Sequence, residues 1–316
     1  MKGMCVVRWM LLVSGCVGSL AAQAPQINAV LNGASFDQSA QAPPVAPGSI
    51  VSIFGSLIAS ELAGTATTTL STSIPLQSSL GGVAVTFNGA QAPLQAPLFG
   101  VFGTPTFDQV NAQVPWNIDV SSGQVQMTVT RGAASTTMMI PAADASPGIF
   151  TLQFGPGPAI VTNFAFAGGP ADVITGTFAQ PPGTSGCLGL DNPPGVGCMG
   201  ADSPSPVGGV VTIWCNGLGP VDVPVESGNI PPPGQVGPGG FVAAVKQVKV
   251  FIGGVEAQVL GAALTAEFVG LNQINVIVPN VPAGNAVPVQ IEMQLNASGP
   301  TVRSRGDATM AVRTAP

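Results

Sequence analysis

Two stretches of the chain share one alternating pattern that ends at a proline. Gln109 to Pro115 reads Gln-Val-Asn-Ala-Gln-Val-Pro, and Gln273 to Pro279 reads Gln-Ile-Asn-Val-Ile-Val-Pro. In the first copy the apolar residues fall on every second position, which is the period of a strand with one buried face. A proline suits the end of a strand because it has no N–H to donate to a ladder. The repetition predicts two similar all-β units.

The strands predicted around this pair recur in the same order. Residues 49–54 correspond to residues 209–214, and residues 83–89 correspond to residues 248–254. The offset between matched strands stays near 160 to 165 positions. Strands that follow one another at intervals of roughly 8–12 residues, with turn residues between them, favour a β-sandwich in each copy.

The repeat divides the chain after residue 24 into three parts. We expect one β-sandwich in residues 25–143 and another in residues 206–316, joined by a loop-rich segment, residues 144–205. Within that middle segment, residues 159–164 and 173–178 are predicted to pair as a β-hairpin. Its apolar side chains are too numerous for a free linker, so we expect the segment to pack on the second sandwich.

Parity along each strand also predicts the core, because a strand that slips by one residue turns its apolar side chains to solvent. The first unit is expected to bury Val83, Val85, Phe87, Val125, Met127 and Val129. The second unit is expected to bury Val248, Val250, Ile252, Val287, Val289 and Ile291.

The leader, residues 1–24, has the pattern of an export signal. Lys2 and Arg8 precede an apolar stretch that ends in small residues, and we place cleavage near Ala22. The alternative is a lipoprotein signal, since Val13-Ser14-Gly15-Cys16 fits a lipobox, but its apolar core before Cys16 is short. We therefore expect an exported protein, extracellular or at the cell surface.

Composition favours a folded chain without a nucleic-acid partner. Hydrophobic residues make up 46% of the chain and charged residues only 7%, whereas disordered chains combine low hydrophobicity with high net charge. The net charge is −6, and no basic stripe is present to hold phosphates or an anionic membrane surface. No stretch after the leader reaches the roughly 18 apolar residues of a transmembrane segment.

Histidine-based chemistry is excluded by residue type. The chain has no histidine and no tyrosine, which removes histidine-based triads and histidine metal sites. Residues 195–200 match Gly-x-Gly-x-x-Gly, but prolines flank them where a nucleotide site needs a strand and a helix. No cofactor is expected. Asp191 and Asp202 share one loop, which leaves calcium binding open, although the loop lacks the spacing of an EF-hand.

Three cysteines and two tryptophans remain as candidates after the leader. Cys187 and Cys198 flank a loop rich in glycine and proline, so we expect them to form a disulfide in an oxidising compartment. Cys215 has the inward parity of its strand and is expected to be a free, buried thiol. Trp116 and Trp214 are the candidate ligand-facing aromatics, although we favour packing at the junction between the units as the role of each.

Four motifs occur together in one order, at residues 47–55, 109–116, 146–151 and 216–221. They read Pro-Gly-Ser-Ile-Val-Ser-Ile-Phe-Gly, Gln-Val-Asn-Ala-Gln-Val-Pro-Trp, Ser-Pro-Gly-Ile-Phe-Thr and Asn-Gly-Leu-Gly-Pro-Val. This set resembles the uncharacterised C-terminal domain family of exported acidobacterial proteins, whose units are similar to IPT/TIG immunoglobulin-like modules. The resemblance implies immunoglobulin-like sandwiches and export, and it brings no activity.

We therefore expect an exported, non-catalytic structural, adhesive or binding protein, whose partner is an extracellular protein or polysaccharide. The alternatives are a carbohydrate-binding module and, less favoured, a glycoside hydrolase that uses two carboxylates.

Overall fold

The structure is a computed structural model. It describes residues 23–38, 43–60, 62–89, 92–184, 202–232, 242–295 and 299–315. Within these ranges all regular structure is β-strand, and no helix long and apolar enough to cross a membrane is found.

The first ten strands form two sheets that share one core. In chain order they are β1 (Gln26–Asn32), β2 (Ile50–Ser56), β3 (Thr67–Leu70), β4 (Ser79–Leu80), β5 (Val83–Asn88), β6 (Pro93–Gln95), β7 (Leu98–Gly103), β8 (Asp108–Gln113), β9 (Gln124–Arg131) and β10 (Ala134–Pro141). One sheet has the order β1-β2-β8-β7-β3, and the other has the order β10-β9-β5-β4 with β6 on β5.

Cross-strand apolar pairs explain why these two sheets stay together. Val85 lies opposite Val129, and Phe87 lies opposite Met127, with all four side chains buried. They pack against the inward residues of the other sheet, such as Ile53 on β2. Fully burying side chains of this size stabilises the fold by about 1.5–3 kcal/mol each.

Eleven further strands form the second unit. They are β11 (Gly148–Ile149), β12 (Gly157–Pro158), β13 (Val161–Phe164), β14 (Ser205–Pro206), β15 (Val210–Asn216), β16 (Val248–Ile252), β17 (Val255–Leu264), β18 (Asn272–Ile277), β19 (Gly284–Gln294), β20 (Thr301–Arg303) and β21 (Ala308–Arg313). Their order is β11-β15-β18-β17-β16-β19-β21-β12, with β13 on β15, β14 on β21 and β20 on β19.

Two long strands join the two layers of this second unit. β17 pairs with β16 at its start and with β18 further on, across an irregularity between Val259 and Gly261. β19 pairs with β21 at its start and with β16 further on. The strands therefore wrap around a single core, in which Ile213, Ile252 and Ile291 are fully buried.

The middle segment is built into the second unit. β11 and β13 both pair with β15, and β12 and β14 run parallel to β21. The expected hairpin is present in short form, since Thr162 on β13 bridges Phe178 and Asn163 N–H donates to Thr177 C=O at 2.8 Å. These pairings confirm that the segment packs on the second sandwich.

The repeated motif occupies the same place in both units. In the first unit Ile53 lies opposite Val110, and in the second Ile213 lies opposite Ile274. The motif asparagine accepts a hydroxyl hydrogen bond from the neighbouring strand in each unit, Ser52 to Asn111 and Thr212 to Asn275, both at 2.8 Å. The chain is thus an all-β protein of two immunoglobulin-like sandwiches in tandem.

The predicted core is confirmed with one correction. Val248 is only half-buried, because it is the first residue of β16 and follows the exposed Gln247. The other residues of both predicted sets are buried, and Cys215 has the predicted inward position.

Candidate functional site

A groove with a volume of about 540 Å³ lies over the outer face of the first sheet. Among the described residues, seven phenylalanines line it and no charged residue does. We call it the phenylalanine groove, and its aromatic residues are Phe36, Phe54, Phe99, Phe102, Phe107, Phe150 and Phe154.

Strand parity sets the floor of the groove. On β8, Val110 and Ala112 turn into the sandwich core, so Gln109 and Asn111 turn outward. On β2, Ile53 is buried in the same core, and Ser52 and Phe54 line the groove on the opposite face. The alternation that builds the core therefore also builds the site.

A bulge in β7 brings two more rings to this face. The register of β7 against β8 shifts between Leu98 and Gly100. A bulge changes which side chains share a face, so Phe99 and Phe102 both line the groove and are both half-buried. Gly100 leaves space for one of them, because a Cβ there would lie 2.7 Å from Phe102 Cζ.

Four of the rings contact one another edge to face. The ring of Phe36 lies 5.6 Å from that of Phe154 and 6.0 Å from that of Phe54. Phe54 in turn lies 5.6 Å from Phe107, and the interplanar angles of the three pairs are 64–68°. Each such contact adds about 0.5–1.5 kcal/mol beyond burial, so the rings hold one another in place.

A pair of amides forms the polar part of the floor. Asn111 Oδ1 accepts from Ser52 Oγ at 2.8 Å and from Gln109 Nε2 at 2.7 Å. Within the described residues, Asn111 Nδ2 and Gln109 Oε1 make no hydrogen bond. The amino group of Asn111 and the carbonyl oxygen of Gln109 therefore remain for a ligand at the base of a mainly apolar groove.

The second wall of the groove comes from the middle segment. Phe150 directly follows β11, and its N–H donates to Trp214 C=O on β15 at 3.0 Å. Phe154 lies in the turn that follows and is 67% exposed. Because β11 belongs to the sheet of the second sandwich, the groove is completed only when the two units are held together.

Buried amide side chains hold that junction. Asn216 on β15 bonds the backbone of Ile50 on β2, and Asn32 Nδ2 donates to Ser146 C=O at 2.8 Å. Gln113 Oε1 accepts from Gly228 N–H at 2.7 Å. Buried polar groups that are fully paired fix one arrangement, because any shift leaves them unpaired. The geometry of the groove is therefore set by the junction.

The two candidate tryptophans lie outside the groove. Trp116 packs against Val225, Val242 and Leu264 of the second unit, and its backbone N–H donates to Ser227 Oγ at 3.1 Å. Trp214 is half-buried, and its indole Nε1 donates to Thr162 Oγ1 at 3.1 Å.

Of the three cysteines, only Cys215 is within the described residues. It is a free, buried thiol whose pKa is raised by burial. Cys187, Cys198 and Asp191 lie outside the described residues, as does Cys16, so the disulfide and the calcium hypothesis remain predictions. Among the described residues, no group of three or more histidine, cysteine, aspartate or glutamate side chains is placed to hold a metal ion.

The phenylalanines of the groove were not predicted from the sequence, where only the two tryptophans were candidate ligand-facing aromatics. The signal was present in Phe54, which alternates with buried Ile53 in the same way as Asn111 alternates with Val110. Phe36 and Phe154 carried no such signal, because they lie in turns with positive φ, 48° and 52°.

No protein-family model matches the chain, and no curated protein matches it. Among solved structures, the chain is similar to one described as titin Ig tandem domains A164-A165. That similarity covers 92% of this chain and 96% of the other, with 9% sequence identity and a TM-score of 0.18. The assignment of two sandwiches rests on the sheet order and pairing given above.

Proposed function

We propose that this chain is an exported, non-catalytic binding protein whose phenylalanine groove takes an uncharged, apolar segment of another extracellular protein. The observation that carries this proposal is the concentration of seven phenylalanines in one uncharged groove. Contiguous apolar surface of this kind is uncommon on soluble proteins outside interaction sites.

The arrangement of the rings favours a protein segment over a sugar. A sugar ring stacks on a flat aromatic face, but the contacting rings here stand 64–68° from one another. Rings set edge to face present both edges and faces, against which aliphatic or aromatic side chains can pack. The free donor of Asn111 and the free acceptor of Gln109 match a peptide group.

The same amide pair supports a second candidate, a carbohydrate-binding module. Sugar hydroxyls both donate and accept, so they also satisfy Asn111 Nδ2 and Gln109 Oε1. The balance of apolar rings over polar groups in the groove makes this the weaker candidate.

A glycoside hydrolase has less support. That chemistry needs two carboxyl groups facing one substrate. Several described carboxylates instead pair with basic side chains: Asp144 with Lys246 at 3.0 Å, Asp172 with Arg313 at 2.6 Å, and Asp307 with Arg305 at 2.6 Å. Asp108 accepts from the N–H groups of Ile58 and Ala59.

Export and family membership complete the proposal. The basic and apolar pattern of the leader supports an extracellular or cell-surface location. The four ordered motifs support kinship with the exported acidobacterial domain family and with IPT/TIG modules. The paired disposition of the repeated motif in the two sandwiches agrees with that kinship.

Binding of the neutral apolar dye Nile red to the chain without its leader tests the groove. We expect the double variant Phe107→Ser/Phe154→Ser to bind the dye about tenfold more weakly or worse, a loss of roughly 1.4 kcal/mol or more. Phe268→Ser is the matched control, because Phe268 is 55% exposed and lies outside the groove. Circular dichroism establishes that each variant is folded.

Equal dye binding by the wild type and the groove variant would refute the proposal. A parallel titration with a neutral glucan hexasaccharide separates the two candidates. Binding of the hexasaccharide that is lost in Phe107→Ser/Phe154→Ser would favour the carbohydrate-binding module.

A further inference from the structure

We infer that the segment which fills the phenylalanine groove is the exposed loop 164–174 of a second copy of this chain, so that copies associate head to tail. The inference rests on the proposed function, since it names the partner of the same groove. It follows from the shape, charge and position of that loop.

The 164–174 loop displays large apolar side chains to solvent. Phe164 is 47% exposed, Phe166 is 41% exposed and Ile174 is 67% exposed. Apolar side chains grouped on one projection are the complement of an apolar groove, and burying each of them removes hydrocarbon from water. The phenylalanine groove offers seven aromatic rings to such side chains.

The base of the loop is held firmly. Phe164 ends β13, opposite Val210 on β15, and Ala165 N–H donates to Thr175 Oγ1 at 2.8 Å. Asn163 is buried, and its Nδ2 donates to Ser203 C=O at 2.8 Å. A loop anchored at both ends loses less conformational entropy on binding than a free segment does.

The charges of the loop and groove are matched. Asp172 is the only charged residue between positions 160 and 180, and Arg313 Nη2 of the same chain contacts its carboxylate at 2.6 Å. The loop therefore presents a neutralised carboxylate to a groove with no charged residue. Insertion leaves no unpaired charge in the apolar contact.

The loop of one chain does not fill the groove of the same chain. None of the described residues that line the groove lies between positions 164 and 174, and Phe164, Phe166 and Ile174 are exposed. Phe164 lies opposite Val210 at one end of β15, whereas Asn216 at the other end contacts Ile50 of the groove. The groove is therefore open to the loop of another copy.

A contact between two different surfaces of the same chain is heterologous. Such a contact leaves one groove and one loop free at the ends of the assembly, so association continues unless the rotation closes a ring. Repeated head-to-tail contacts between exported copies would produce a linear assembly.

Sedimentation velocity on the chain without its leader tests this inference. From low to high micromolar concentration, the wild type is expected to form a concentration-dependent series of oligomers. Phe166→Ser removes the loop side chain, Phe154→Ser removes an exposed groove side chain, and each variant alone is expected to remain monomeric. The control Phe268→Ser is expected to assemble like the wild type.

An equimolar mixture of the two variants gives the decisive result. The intact groove of Phe166→Ser can bind the intact loop of Phe154→Ser. The loop of Phe166→Ser and the groove of Phe154→Ser are both defective, so no third copy can add and the mixture should contain dimers. A wild type that stays monomeric at every concentration, or a Phe166→Ser variant that still assembles, would overturn the inference.

The outcome remains separate from that of the proposed function. A monomeric wild type whose groove still binds Nile red through Phe154 rejects the second copy as the partner and leaves the groove as a binding site. Loss of both behaviours rejects both proposals.

Discussion

Asn216 of the second sandwich forms hydrogen bonds to both backbone polar groups of Ile50 in the first. Its Oδ1 accepts from Ile50 N–H at 2.9 Å, and its Nδ2 donates to Ile50 C=O at 2.7 Å. The side-chain amide thus pairs with β2 at its first residue in the way that the backbone of a neighbouring strand would. This contact joins residues 166 positions apart, and it orients the phenylalanines of the middle segment toward those of the first unit.

Replacing Asn216 should weaken the whole protein. In Asn216→Ala the N–H of Ile50 loses its partner in a partly buried place, so we expect the free energy of unfolding to fall by about 2–4 kcal/mol. Urea denaturation measures it. Asn280→Ala, at an exposed asparagine, is the control and should change stability by less than about 0.5 kcal/mol. A similarly small effect of Asn216→Ala would show that the junction does not depend on this amide.

Gly48 should tolerate no side chain because of Trp116. Gly48 has a φ of +72°, and a Cβ added there would lie 2.1 Å from Trp116 Cη2. We expect Gly48→Ala to destabilise the protein by about 3 kcal/mol or more, through backbone strain and the clash together.

Gly82→Ala separates those two causes. Gly82 has a similar φ of +79°, but no atom of the described residues lies within 4 Å of the added Cβ, so the substitution should cost only about 1–2 kcal/mol. The effect of Gly48→Ala should also shrink in a Trp116→Leu background. If the two glycine variants unfold at the same urea concentration, the indole does not constrain this turn.

The inward face assigned to β16 can be tested by placing an aspartate at a buried valine and, in a second variant, at an exposed one. Val250 is fully buried, so Val250→Asp should cost about 3 kcal/mol or more and lower the melting temperature sharply. Val255 follows on the same hairpin and is 44% exposed, so Val255→Asp should have a small effect. Equal melting temperatures for the two variants would mean that the register of this hairpin is wrong.

The cysteines should differ in reactivity. Burial raises the pKa of the Cys215 thiol, and only the thiolate reacts with iodoacetamide. We expect Cys215 to be alkylated only after the protein is unfolded, and Cys187 to appear linked to Cys198 in unreduced peptide maps. A cross-linked peptide that contains Cys215 would contradict both the pairing and the inward position.

Stability should fall in acid partly through Asp307. Its hydrogen bonds to Arg305 lower the pKa of the carboxyl below its ordinary value. The carboxylate of Asp307 therefore takes up a proton less readily in the folded state than in the unfolded state. Its contribution to the free energy of unfolding is complete at neutral pH and is lost as the pH falls below about 4. Asp307→Asn should flatten that part of the stability curve, measured by urea denaturation at each pH, while Glu267→Gln, at an exposed carboxylate, serves for comparison.

The sequence by itself determined the strands, the repeat and the inward faces. Apolar residues at every second position leave one register in which they are buried, so Val85, Met127 and Ile291 were assigned to the core from the pattern alone. The inward position of Cys215 followed from the same rule. Alternation acts within a few residues, which is why it can be read without a structure.

Only the tertiary structure decided where the phenylalanines meet. Phe36 and Phe154 are 118 positions apart in the sequence, and their rings lie 5.6 Å apart because a buried amide junction brings two sandwiches together. Neither residue lies in a strand, so no alternation of apolar and polar residues indicated where its side chain would lie. The middle segment was predicted to be a connection, but its short strands complete the second sandwich, and the phenylalanines beside β11 supply one wall of the groove. Pairing between distant strands depends on the whole fold and leaves no local pattern in the sequence.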